Sequence, residues 1–370
     1  MEVLKLLKEY NKKNKPRSKK YNAENLLTAG GDYLIPYGMR SNGKSYQVKL
    51  ICLLNAYHNG EKFVYLRRYR DEIKEDEVTA YFEDMNIQKI TDNVYSLVVA
   101  WHGFIYFANL DDKDNIIKGL QIGRYCALNL APRYKSQAFV NYRFIDYEEF
   151  ITDGIYLADE PDKLQQFVST VARDSKVQVF LIGNTISRVC PYFYTWGLKG
   201  TLTQKPGTIE QYHQKDAEGH DTAVITVENC EVVENKNNMF FGSVSKQILS
   251  GEWDVVECPR LPLPYDDFTE CYRLQVNYQM FTFNVKLLCD EKGALYTYVY
   301  PAKNLDENGR IITDKFSDNP LHTHAFNSRS RAEMRIIECF KNNKVCYSDN
   351  LTGADFKQVL NQSNFINVRW

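Results

Sequence analysis

Residues 38–45 read Gly-Met-Arg-Ser-Asn-Gly-Lys-Ser and complete the pattern G-x-x-x-x-G-K-[ST]. This pattern constrains the fold because it works only as a turn between a buried strand and the start of a helix, where backbone amides and the helix dipole converge on an anion. Gly38 and Gly43 free the backbone to wrap a triphosphate, Lys44 can reach the β- and γ-phosphates, and Ser45 can ligate Mg²⁺. Arg40, inside the loop, is counted with the nucleotide-binding residues. The expected cofactors are ATP, with GTP as an alternative, and Mg²⁺.

The context agrees. Residues 33–37 form a short apolar run ahead of the loop, and behind it Val48, Ile51, Cys52 and Leu54 line one helical face over 45–57, with Asn55 the polar exception. Further apolar runs at 63–67, 94–100, 104–108, 144–146 and 177–182 alternate with helical stretches, which predicts an α/β sheet.

A chain of 370 residues suggests two domains. Its 44% hydrophobic and 25% charged content is that of a globular protein, and no apolar run approaches a membrane span, so a soluble, intracellular protein without a membrane partner is expected. Nine cysteines without C-x-x-C spacing predict reduced thiols rather than a disulfide framework or a zinc site. A net charge of −1 advertises no global affinity for nucleic acid, so any such contact must be local. Lys12, Lys13, Lys15, Arg17, Lys19 and Lys20 crowd one segment with little to bury, read as a mobile basic arm that is either solvated or in contact with a polyanion.

A nucleotide hydrolase also needs one carboxylate for the metal and one for the attacking water, both at the end of a strand beside the loop. Phe144-Ile145-Asp146-Tyr147-Glu148-Glu149 supplies them: Glu148 for the metal, Glu149 for the water, and Asp146 as a second candidate for the metal. Asn184 ends another apolar run and could sense the γ-phosphate or simply form a turn. Arginines that could neutralise transition-state charge lie at Arg67-Arg68-Tyr69-Arg70 and at Arg173.

From about residue 200 the chain changes character. Lys205, Pro206, Gly207 and the polar stretch to Gly219 read as a linker or exposed loop. Strands are expected at 272–278, 281–288 and 294–300, with a turn at Asp290-Glu291-Lys292-Gly293 and helices at 330–341 and 353–362. The expected division is a basic arm over 1–30, a nucleotide-binding domain over 31–200, a connector over 201–265 and a C-terminal domain over 266–370.

Taken in order, the phosphate loop, Glu61-Lys62-Phe63-Val64-Tyr65-Leu66-Arg67-Arg68-Tyr69-Arg70, Glu148-Glu149-Phe150-Ile151, Arg173, Asn184 and Cys190-Pro191-Tyr192-Phe193 resemble the genome-packaging ATPases of φ29-like tailed phages, the encapsidation proteins. The resemblance covers 33–196 well and the rest more loosely, including Phe240-Phe241-Gly242. It implies a P-loop NTPase domain of the additional-strand, catalytic-glutamate type, a small connector, and an α+β RNase H-like C-terminal domain that binds DNA but lacks nuclease acids. It further implies an ATP-driven ring, pentameric in the family, that works from the host cytoplasm at the portal vertex and moves double-stranded DNA into a capsid. The portal protein and further copies of the chain are its implied partners, and a structural RNA is left open.

By the same resemblance, Glu149 is the catalytic base, Arg173 and Arg70 act across the subunit interface, and Arg133 and Lys135 touch DNA in the ring's lumen. Where the family carries Asp followed by Glu, this chain has Glu148 followed by Glu149, so Asp146 stays an alternative metal acid. A helicase-like motor and a nucleotide-binding structural protein without turnover are the alternative readings.

Overall fold

A computed structural model describes residues 2–14, 20–173, 175–231, 253 and 257–366. Lys15, Arg17 and Lys19 of the basic run and Phe240, Phe241 and Gly242 lie outside the described residues. The chain divides into two compact units: Met1–Thr152 with Leu157–Thr185 and Thr195–Glu252, and Asp153–Tyr156 with Ile186–Tyr194 and Trp253–Trp370.

The first unit is built on nine strands: β1 (Tyr33–Gly38), β2 (Lys62–Arg67), β3 (Leu97–Trp101), β4 (Phe104–Leu110), β5 (Ile116–Ala127), β6 (Tyr142–Glu148), β7 (Gln178–Asn184), β8 (Thr208–Lys215) and β9 (Asp221–Asn229). They lie in the order β3-β4-β5-β2-β6-β7-β1-β9-β8. The six from β5 to β9 run parallel, and the pairs at both margins are antiparallel. Parallel strands are covered on both faces, which is why the central stretches of β1, β2 and β7 read in the sequence as nearly continuous apolar runs. Pro36 sits in β1, whose ladder with β7 pairs Leu34 with Phe180 and next Tyr37 with Gly183, stepping past the residue that has no N–H to give.

Helix α1 (Val3–Lys13) and helix α2 (Glu24–Ala29) occupy the stretch expected to be a mobile arm. Leu6, Leu7 and Leu26 are buried in one core with the apolar residues of α3 (Lys44–Asn59). Lys12 and Lys13 form the basic last turn of α1, where cations oppose the helix dipole. The arm reading therefore fails for residues 3–13 and 24–29, because α1 has an apolar face that the charge count hid. α3 is buried from Val48 to Ala56, wider than one face, since α1 covers the side that a lone surface helix would leave wet. The expected linker is corrected as well. Residues 208–229 form β8 and β9, and β9 pairs parallel with β1, so the sheet continues past residue 200.

The second unit holds β10 (Thr269–Tyr278), β11 (Phe281–Cys289), β12 (Leu295–Pro301), β13 (Ile311–Thr313), β14 (His322–Thr323) and β15 (Val345–Tyr347) in the order β14-β13-β10-β11-β12-β15. The first three form an antiparallel meander, and β13 and β15 pair parallel at its two sides. Asp290 Oδ1 accepts from the amides of Lys292 and Ala294, and Gly293 at φ 82° completes the expected turn. Helices Arg331–Lys341 and Asn350–Gln362 start at side-chain caps from Ser330 and Asp349. Phe356 meets Phe283 of the sheet at 5.1 Å between ring centroids.

Candidate nucleotide site

Parallel packing sets the C-terminal ends of β1, β2, β6 and β7 along one edge of the sheet, where open α/β sheets bind ligands. The loop 38–45 leaves β1 there. Gly38 at φ 142° and Gly43 at φ 101° take backbone conformations that a side chain would strain, and Gly43 is the residue from which α3 starts.

Lys44 folds over the loop. Its ammonium donates to the carbonyl of Met39 at 2.6 Å, to Asn42 Oδ1 at 3.2 Å and to Asn184 Oδ1 at 3.1 Å. Burial lowers its pKa to about 8, opposed by the nearby Cys230 and Glu148. Asn184 is the last residue of β7, paired with Gly38, and this register is what brings its amide to Lys44.

Ser45 Oγ donates to Glu148 Oε2 at 3.0 Å. Glu148 ends β6, and Asp146 lies on the same face two residues earlier. Tyr81, which follows helix α4 (Glu75–Ala80), bridges them, its hydroxyl 2.6 Å from Glu148 Oε1 and 3.1 Å from Asp146 Oδ2. Tyr81 is held by stacking on Tyr65 at 4.4 Å and by Lys49, which donates to its carbonyl and pairs with Asp84. Among the described residues Asp146 Oδ1 is buried with no hydrogen-bond partner. Burial raises the pKa of both acids, that of Asp146 well above the carboxylate range with the Glu148 charge adding, while the Tyr81 and Ser45 hydroxyls oppose the rise in Glu148. Two buried carboxylates beside a loop hydroxyl, one oxygen unsatisfied, fit a hard divalent cation.

Glu149 is the first residue beyond β6 and turns away at φ 57°. Its carboxylate is 57% exposed and pairs with Arg67 Nη2 at 2.7 Å, while Arg67 Nε reaches Glu72 at 3.2 Å. Arg67 ends β2 beside β6, where Leu66 pairs with Tyr147.

The structure thus gathers Gly38, Gly43, Lys44, Ser45, Asp146, Glu148, Glu149 and Asn184 along one edge. Arg40 is exposed on the loop, and Arg70 is exposed in the 3₁₀ turn Arg70–Glu72 after β2. Arg173 is elsewhere. It precedes β7, so it lies toward the opposite edge, a strand length of about 20 Å from Asn184. There Arg173 Nη2 donates to the Lys135 carbonyl at 2.7 Å, and Arg133 is exposed nearby in the short helix Ala131–Tyr134.

Sequence reading names Arg67 and Arg68 beside Arg70 as candidate arginines and misses two further groups. Tyr81 carries no signal: only the fold brings it to acids 65 and 67 residues away. The other is Glu160, buried and paired with Arg68 at 2.9 Å.

A strand, a G-x-x-x-x-G-K-S loop and a helix N-terminus beside strand-end carboxylates define a P-loop nucleotide-binding protein. Residues 16–235, more than half of the chain, match the family model of the Podovirus DNA encapsidation protein (Gp16), and the chain belongs to that family. It is 30% identical over 182 residues to the DNA packaging proteins of Bacillus phages PZA and phi29, a match covering 48% of this chain and 50% of each relative. The chain thus spans about half the length of the curated relatives it matches. Its fold is also that of a chain in the bacteriophage Phi-29 viral genome packaging motor assembly, with a TM-score of 0.54 and 20% identity over 93% of this chain and 99% of that one. Among the described residues no helix is long and apolar enough to cross a membrane.

Proposed function

We propose that this protein hydrolyses ATP with Mg²⁺ and uses the energy to move double-stranded DNA into a viral capsid, as a ring of identical subunits, five by the family resemblance, at the portal vertex in the host cytoplasm. The observation that carries this reading is the meeting of Lys44, Ser45, Glu148, Glu149 and Asn184 along one sheet edge in a chain of the encapsidation family. The relatives' description as DNA packaging proteins supports the substrate.

In this reading the loop amides and Lys44 hold the β- and γ-phosphates, with Arg40 at the loop's exposed rim. Ser45 and Glu148 hold Mg²⁺, which when bound offsets charge on the phosphates, and Asp146 stands behind as the alternative acid. Ser45 lies 3.0 Å from Glu148, which favours Glu148. Glu149 takes the proton of the attacking water once its carboxylate is free of Arg67. Asn184 reports the γ-phosphate through Lys44. Arg173 and Arg70 serve a neighbour's site, a role that suits the distance of Arg173 from its own loop. Arg133 and Lys135 touch DNA phosphates, as a motor indifferent to sequence requires.

For the second unit we propose an RNase H-like, DNA-binding role without cleavage. Neutral Gln275 and Asn277 fill the buried middle of β10, and the acid Glu270 at its start is engaged by Arg273 and by Lys286 at 2.7 Å. Metal-dependent nicking of DNA by the purified protein would overturn that part.

The decisive test is ATP turnover with and without double-stranded DNA for the native chain and Glu149→Gln. Turnover stimulated by DNA, and about 10²–10⁴-fold slower in the variant with ATP still bound, is expected. Nucleotide binding without hydrolysis in the native chain would contradict it.

A further inference from the structure

Arg68 is 4% exposed and Glu160 fully buried, and an ion pair so placed needs further hydrogen bonds to offset its desolvation. The partners it has are informative. Arg68 Nη1 and Nη2 donate to the carbonyls of Glu149 at 3.1 Å and Phe150 at 2.8 Å, the two residues of the turn that aims the candidate base. Glu160 accepts from the Tyr147 hydroxyl at 2.7 Å and from the Leu157 amide at 2.9 Å. The carbonyl of Arg68 accepts from the Asn129 amide at 3.1 Å, at the head of the segment that carries Arg133 and Lys135.

Glu160 opens the helix Glu160–Val171, about 18 Å long, and Arg173 follows two residues after its end. Leu164, Phe167 and Val171 bury one face of this helix, and the Phe167 ring packs against Tyr134 at 5.7 Å and Phe139 at 6.2 Å. At the far end Arg173 bonds the Lys135 carbonyl. The buried charge pair therefore ties the turn of the base to the helix leading to the arginine, while the backbone of the same Arg68 holds the head of the segment of basic residues.

We infer that Arg68 and Glu160 are positioning residues that make the Glu149 turn, the Arg173 helix and the Arg133–Lys135 segment move as one body, so that DNA contact on that segment sets the base and the arginine together. This rests on the function proposed above and deepens it by naming the path from DNA to hydrolysis. A link of this kind acts on the ratio of stimulated to unstimulated turnover, whereas a purely structural pair would lower both alike.

The test replaces both charges at once, Arg68→Gln with Glu160→Gln, which keeps hydrogen-bonding atoms at each end and avoids stranding one buried charge. ATP turnover is measured with and without double-stranded DNA, alongside the affinity for a non-hydrolysable ATP analogue. The stimulation ratio should fall about fivefold or more while analogue affinity holds. A ratio equal to that of the native chain overturns the inference with the function intact. A native chain without turnover removes the function itself and this inference with it. If the double variant does not fold, amide exchange of the native chain decides: DNA should change protection at 149–151 and 160–173 together, and a change confined to 128–140 overturns the link.

Discussion

Three acids within four positions, Asp146, Glu148 and Glu149, meet two environments because a strand alternates its faces and then ends. The first two share the face toward Tyr81, with Glu148 also bonded to Ser45, and Glu149, the next residue, leaves the strand in a left-handed turn at φ 57°. Outside this cluster, Glu228 in β9 accepts from the Tyr21 hydroxyl at 2.7 Å, and burial raises its pKa to about 7. In the folded chain it therefore keeps a proton that the unfolded chain has lost, between its usual value of 4.5 and about 7. Stability from this group is full below that window and falls as pH rises through it. Urea midpoints at pH 5 and pH 8 should differ less in Glu228→Gln than in the native chain; an unchanged difference would refute the assignment. The acids of the site were legible because polar residues at the end of an apolar run stand out. Seeing that Arg67 is the arginine paired with Glu149 required knowing where β2 stops, and three arginines within four residues hide that boundary.

Among the elements, β1, the loop and α3 were legible because their apolar spacing and turn chemistry agree. β5 was not, since its first five residues are exposed and offer no alternation. β8 was also missed: Thr208–Lys215 is a largely polar edge strand, held in place by its antiparallel hairpin with β9 rather than by apolar content of its own. The helical face of α1, with Val3, Leu6, Leu7 and Tyr10 at helical spacing, was outweighed by the lysines that follow it. That helix is part of the core, so Leu7→Ala should destabilise the protein by about 2–5 kcal/mol in urea unfolding. A loss below about 0.5 kcal/mol would restore the mobile-arm reading.

At the scale of the whole molecule, Arg173 lies toward one edge of the sheet and the phosphate loop at the other, and Arg173 is bonded to the Lys135 carbonyl. Lys135→Ala keeps the carbonyl that holds Arg173, so it isolates the side chain's proposed contact with DNA. Affinity should fall, and the dependence of log K on log salt should become shallower by about 0.9, one phosphate contact; an unchanged slope removes Lys135 from the DNA path. The central claim is that the nucleotide site is completed between subunits. It is tested most directly by mixing Glu149→Gln chains with Arg173→Ala chains in the presence of double-stranded DNA and measuring ATP turnover. Each variant alone should be nearly inactive, and the mixture should recover turnover at interfaces that join an intact Glu149 to an intact Arg173. A mixture no more active than its components would contradict the shared site.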